Sequence, residues 1–173
     1  PTPGVANAAV AALTDLANNL RITEIMYNPA ASAGLEFIEL ENISGSTTLD
    51  LTGVRLASGV DFTFPGVSLL PGQSVVVVRD LEEFYSHYGS GINVAGEYSG
   101  SLNDATDELV LQLPSPYDAA ILRFDYSDTW YPTTDGGGYA LTIVDPAIDP
   151  DDYGNAASWR AGTVLGGSPG RGD

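Results

Sequence analysis

The sequence has no cysteine and no lysine, one histidine, one methionine and six cations in all, every one an arginine: Arg21, Arg55, Arg79, Arg123, Arg160 and Arg171. Without cysteine there is no disulfide, thiolate zinc site, iron–sulfur cluster or cysteine nucleophile. The compartment stays open, because an oxidising compartment permits disulfides without requiring them. A single histidine excludes any metal site built on two, and the missing lysine excludes a phosphate loop of the usual type. Cations are scarce beside 23 acidic residues, and the net charge is −17. Nucleic-acid binding draws most of its free energy from cations that neutralise phosphates, so nucleic acid is not an expected partner. An anionic membrane surface fails for the same reason. No apolar run reaches the roughly 18 residues of a membrane span, so no membrane insertion is expected. The opening Pro1-Thr2-Pro3-Gly4 has no initiator methionine, basic region or apolar region, which points to a fragment or a processed chain.

What the chain does have is enough for one domain. It has 173 residues, of which 43% are hydrophobic, and such a length removes roughly two-thirds of its surface from water on folding. Residues 5–19 are alanine-rich and free of Gly and Pro, so 1–19 is expected to be a linker, partly helical. From residue 20 to 173 the texture changes. Gly and Pro punctuate short β-branched and aromatic runs, giving candidate strands at 21–27, 35–42, 49–57, 62–64, 74–79, 108–113, 119–126 and 139–144. Eight short strands without alternating helices predict an all-β antiparallel sandwich. In Glu36–Glu41 the period of two puts Ile38 and Leu40 on one face. Phe37, Glu39 and Glu41 fall on the other, half-exposed face, where the two acids meet solvent or an arginine. Val75–Val78 reads as a central or doubly covered strand. Asp80 reads as the N-cap of a short helical turn with acids in its first turn.

Few constellations carry chemistry. A Ser-His-Asp triad would need His87, on a short helical turn, and no G-x-S-x-G elbow exists. Asp135-Gly136-Gly137-Gly138 leads into a strand and reads as a turn. The irregular loop 145–155 offers Asp145, Asp149, Asp151 and Asp152 as candidate Ca²⁺ ligands, since calcium takes six to eight oxygens from a flexible loop, but it lacks EF-hand spacing. Asn103–Glu108 is a weaker second acidic turn. Sixteen aromatic residues include Trp130 and Tyr131, a candidate carbohydrate platform if exposed, while core filling uses the same residues. Trp159 is expected to anchor the closing segment in the core.

From Leu20 on, the order of motifs resembles the lamin tail domain family. The resemblance rests on Leu20–Pro29 (LRITEIMYNP), Glu36–Asn42 (EFIELEN), Leu49–Leu56 with Val54 where the family usually has Trp, Phe62–Pro65 and Leu70–Val78. Further along it rests on Leu102-Asn103-Asp104, Glu108–Leu111, Asp118 with the following strand, Trp130, and a close from Asn155 through Trp159 to Gly167-Ser168-Pro169-Gly170-Arg171-Gly172-Asp173. That close also accounts for the Arg-Gly-Asp tripeptide. The resemblance implies an immunoglobulin-like β-sandwich of the bacterial branch, extracytoplasmic (secreted or at the cell surface), that serves as an interaction or tethering module without catalytic residues. Expected partners are other domains of the parent protein and a protein or polysaccharide. A carbohydrate-binding module and a hydrolase domain are the alternatives.

Overall fold

The short β-branched runs are strands. The computed structural model describes residues 3–173, with side chains from Ala8 onward. Helix α1 (Pro3–Asn19) leads directly into β1 (Leu20–Met26), which is followed by β2 (Phe37–Asn42), β3 (Leu49–Asp50), β4 (Arg55–Leu56), β5 (Val60–Thr63), β6 (Ser68–Leu69) and β7 (Ser74–Val78). Helix α2 (Leu81–Tyr88) comes next, then β8 (Val94–Glu97), β9 (Ser99–Gly100), β10 (Thr106–Gln112), β11 (Ala120–Ser127), β12 (Tyr139–Ile143) and β13 (Trp159–Leu165). One sheet has the order β13-β12-β1-β2-β7-β8 and faces a second of order β11-β10-β4-β5-β9; β3 and β6 pair separately. The chain is thus an all-β sandwich with a short N-terminal helix.

Two expectations about strand pairing need correction. The sheets are not wholly antiparallel, because β7 and β8 run parallel, with Val76 opposite Val94 and Val78 opposite Glu97. A parallel neighbour needs a crossover, and α2 supplies it. The run 49–57 is two strands, since Asp50 accepts from the N–H and hydroxyl of Thr52 and turns the chain between them.

The six-stranded sheet is covered on both faces. Its inner side sends Ile22, Ile25, Ile38, Leu40, Val75 and Val77 into the main core against Leu56, Phe62, Leu109, Leu111 and Phe124. Its outer side sends Met26, Phe37, Val76 and Val78 into a second core beneath Phe84 of α2. Val75–Val78 is buried throughout for that reason. The expectation that Phe37 and Glu39 lie half-exposed also fails: both are buried, Phe37 in this second core and Glu39 beneath residues 166–173.

Trp159 closes one end. Its ring stacks on Phe124 at 5.5 Å and meets Tyr153 edge-on, and its indole N–H donates to the Tyr153 carbonyl at 2.7 Å. Helix α1 docks through its last turns. Leu16 enters the core, while Val10 stands exposed. The helix's final carbonyls are orphans by construction. Buried Arg21 caps one of them, donating through Nη1 to the Ala17 carbonyl at 3.0 Å, and bonds the Leu20 carbonyl of β1 at 2.9 Å. No described helix is long and apolar enough to cross a membrane.

Candidate functional site

The site begins with a slip in β1. Leu20 and Ile22 face the main core, but the next inward residues are Ile25 and Tyr27, one position out of phase. The pairing registers the same slip: Ile22 lies opposite Leu40, and Glu24 lies opposite Glu39. Two residues of β1 therefore oppose one of β2, which is a β-bulge. The bulge turns Thr23 and Glu24 to the outer face together, beside Glu39. There the Thr23 hydroxyl donates to Glu39 Oε1 at 2.7 Å.

The closing segment, residues 166–173, lies across these acids. The Ser168 N–H donates to Glu24 Oε1 at 2.8 Å and its hydroxyl to Glu24 Oε2 at 3.0 Å. The Gly170 N–H donates to Glu39 Oε2 at 2.6 Å. All four carboxyl oxygens of the pair are thereby occupied by the chain's own donors. Glu24 is 2% exposed and Glu39 4%. From α2, the Tyr88 hydroxyl donates to the Gly166 carbonyl at 2.6 Å. At the far end, Asp173 accepts from Arg160 Nη1 at 2.7 Å, from the Thr163 N–H and from the Thr163 hydroxyl. These bonds blunt the outermost strand, β13, which would otherwise offer a bare edge.

Burial dominates the electrostatics. It pushes the Glu24 carboxyl up to about 7, against the bonds from Ser168 and with help from neighbouring Glu39. It likewise pushes Glu39 up to about 7, against the bonds from Thr23 and Gly170. A third buried acid, Glu36, holds the crossover: it accepts from Arg79 Nη1, from the Tyr98 hydroxyl at 3.0 Å and from the Leu102 N–H at 2.9 Å. Burial raises its pKa while these donors and the Arg79 cation work the other way.

Two carboxyls with raised pKa side by side are what acid–base hydrolysis uses, but such chemistry needs oxygens that face a substrate. Here every oxygen faces the protein. The arrangement fastens chain to chain.

The residues singled out in the sequence lie elsewhere. Asp145, Asp149, Asp151 and Asp152 all stand exposed on the loop between β12 and β13. Asp145 accepts from the Ala147 N–H, Asp149 from the Asp151 N–H at the start of a 3₁₀ turn over Pro150–Asp152, and Asp152 from the Asn155 amide. Each of these three carboxylates turns back on its own loop. Among the described residues, no group of three or more His, Cys, Asp or Glu side chains is placed to hold a metal ion. Trp130 and Tyr131 are half-buried against the main core. The Tyr131 hydroxyl donates to the carbonyls of Ala156 and Trp159, which ties that ring to the start of β13. His87 is exposed on α2. Asp80 caps α2 as expected, accepting from the Glu83 N–H at 2.8 Å.

Glu24, Glu36 and Ser168 were not singled out. The signal for Glu24 was present in the spacing 20, 22, 25, 27 of the inward apolar residues, which breaks the period of two at Thr23-Glu24. Ser168 stands in the closing Gly-Ser-Pro-Gly, and nothing local to it names its partner.

Among protein families, the model described as Lamin Tail Domain matches residues 15–127. No curated protein and no solved structure matches the chain.

Proposed function

The chain belongs to the lamin tail domain family, and on that premise we propose that it is a non-catalytic interaction or tethering module of a larger bacterial protein that is secreted or attached to the cell surface. The observation that carries this reading is the complete occupation of the convergent carboxyls by Thr23, Ser168 and Gly170. The place where Glu24 and Glu39 converge holds the fold together and leaves none of their oxygens for a substrate. The partners proposed are neighbouring domains of the parent and an extracytoplasmic protein or polysaccharide. The acidic surface supports this, since it repels nucleic acid and anionic membranes and favours basic or neutral partners.

Deleting residues 20–173 from the parent protein tests the reading. The remaining domains should keep their own activity while the parent's attachment, measured by cell fractionation, is lost. Unchanged attachment overturns tethering. Saturable quenching of tryptophan fluorescence by a saccharide, abolished in Trp130→Ala, would instead establish the carbohydrate-binding alternative.

A further inference from the structure

We propose that residues 166–173 form a releasable strap on the outer face of the six-stranded sheet, latched by Glu24 and Glu39 and loosened when those two carboxyls ionise. Geometry argues for it first. The strap begins where β13 ends, and no ladder joins Ser168–Asp173 to a strand. Ser168 and Gly170 reach the sheet through the two glutamates alone among the described hydrogen bonds. Arg171 bonds back to the Ser168 carbonyl inside the strap's own turn. Gly167–Pro169 are buried, Gly170–Gly172 are exposed, and the Asp173 carboxylate, 2% exposed, is pinned to Arg160 and Thr163 of β13 as the strap's fixed end. Between its ends at Gly166, bonded to Gly138, and Asp173, bonded to β13, the strap can therefore lift without breaking a strand pairing of the sandwich.

What lifting changes is the surroundings of the two acids. Under the strap they are out of water and directly opposed on neighbouring strands; without it they lie on an open sheet face. Burial holds both near 7, and exposure returns each to the ordinary range near 4.5. The closed state thus binds protons more tightly than the open one. Below the ordinary range both states are protonated and the strap is favoured. As pH rises through the window from about 4.5 to about 7, the open state loses its protons first, so the equilibrium moves toward opening. Above that window the closed strap covers two adjacent negative charges. The N–H bonds from Ser168 and Gly170 strengthen toward a charged acceptor and oppose the trend, but desolvation is the larger effect.

The surrounding groups act mostly in the same direction. Glu41 on β2 and Asp173 on the strap add negative charge. Tyr88 and His87 of α2 flank the strap at Gly166, and Arg160 of β13 and Arg171 are the cations nearby. Arg160 is paired with Asp173 in the closed state, and although burial pushes the Asp173 carboxyl up, the bonds from Thr163 and Arg160 hold it below its ordinary range.

The test is amide exchange by NMR on the intact chain at about pH 5.5 and about pH 8, expressed as protection factors so that the intrinsic base dependence of exchange cancels. The Ser168 and Gly170 amides should lose tenfold or more of their protection across that step, on the order of one proton's linkage. The amides of Ile38 and Val77, inside the sheet, should hold. In Glu24→Gln/Glu39→Gln the pH step should vanish, because an amide keeps an acceptor for the strap and cannot ionise. In the unmodified protein, ¹³C-carboxyl shifts of Glu24 and Glu39 should titrate along the same curve as the loss of protection. Equal protection at both pH values overturns the proposal. So does an equal loss at Ile38 and Val77, a step that persists in the double variant, or carboxyl titrations that do not follow opening.

Discussion

Gly72 and Gly167 both hold positive φ, +71° and +82°, for different reasons. Gly72 is third in the turn Leu70-Pro71-Gly72-Gln73, closed by the Gln73 N–H donating to the Leu70 carbonyl at 3.0 Å. Proline second and glycine third is the type II arrangement. A methyl added there meets nothing within 4 Å, so Gly72→Ala carries backbone strain alone, about 1 kcal/mol. A methyl at Gly167 would stand 2.8 Å from Glu24 Oε1 and 3.0 Å from Phe37 Cζ. Gly167→Ala adds overpacking to strain and should cost about 3 kcal/mol. Urea titrations of the two variants should separate them clearly, and equal losses would show that the closing segment is not closely seated. The turn at Gly72 is legible in the sequence because Pro-Gly is a local signal. The requirement at Gly167 is not, because it is imposed by residues on β1 and β2, far earlier in the chain.

The same division runs through the elements. Strands that alternate cleanly or carry β-branched runs, β1, β2, β7, β10, β11 and β12, are legible within a residue or two. β8, β9 and β13 are not. Two of them are short or glycine-containing, and β13 (Trp159–Leu165) owes its strand to pairing with β12 across a bulge between Tyr139 and Leu141. The Asp80 cap and α2 are local and were legible. That the chain returns from α2 parallel to β7 is a long-range fact, as is the second core that α2 creates. Trp159 shows where a local reading and a distant consequence meet. Its position after a polar loop marks it as an anchor, and the structure gives it Phe124 and the Tyr153 carbonyl as its seat. Trp159→Ala should cost roughly 3–5 kcal/mol and remove the shielded component of tryptophan emission. A loss below about 1 kcal/mol, the ordinary effect of a surface change, would contradict the buried seat.

At the scale of the molecule, 17 excess negative charges oppose compaction, and salt relieves them, since the Debye length falls from about 30 Å at 0.01 M to about 10 Å at 0.1 M. Stability should rise with NaCl. Once screening is largely saturated, at about 0.3 M NaCl, calcium at about 5 mM and EDTA should give equal melting temperatures. A bound ion present at a hundredfold its dissociation constant would add about 2.7 kcal/mol. A calcium-dependent rise lost in Asp149→Ala would mean that the loop rearranges into a cage. The loop's acidity was plain in the sequence. That its carboxylates would turn back onto their own turns, while Glu39 lay buried in a strand read as half-exposed, was not, because the segment that covers Glu39 comes from residues 166–173 and a one-residue bulge in β1 brings Glu24 to the same face. Helix α1 and residues 166–173 engage that same bulged strand: α1 runs into Leu20, and the closing segment rests on Glu24 and on Glu39 beside it. Tension applied between the helix and Asp173 would thus run through β13, β12 and β1, all within the six-stranded sheet. The five-stranded sheet lies outside that path and would bear little of the force, while Glu24, Glu39 and the Arg160–Asp173 pair act as the mechanical fuse.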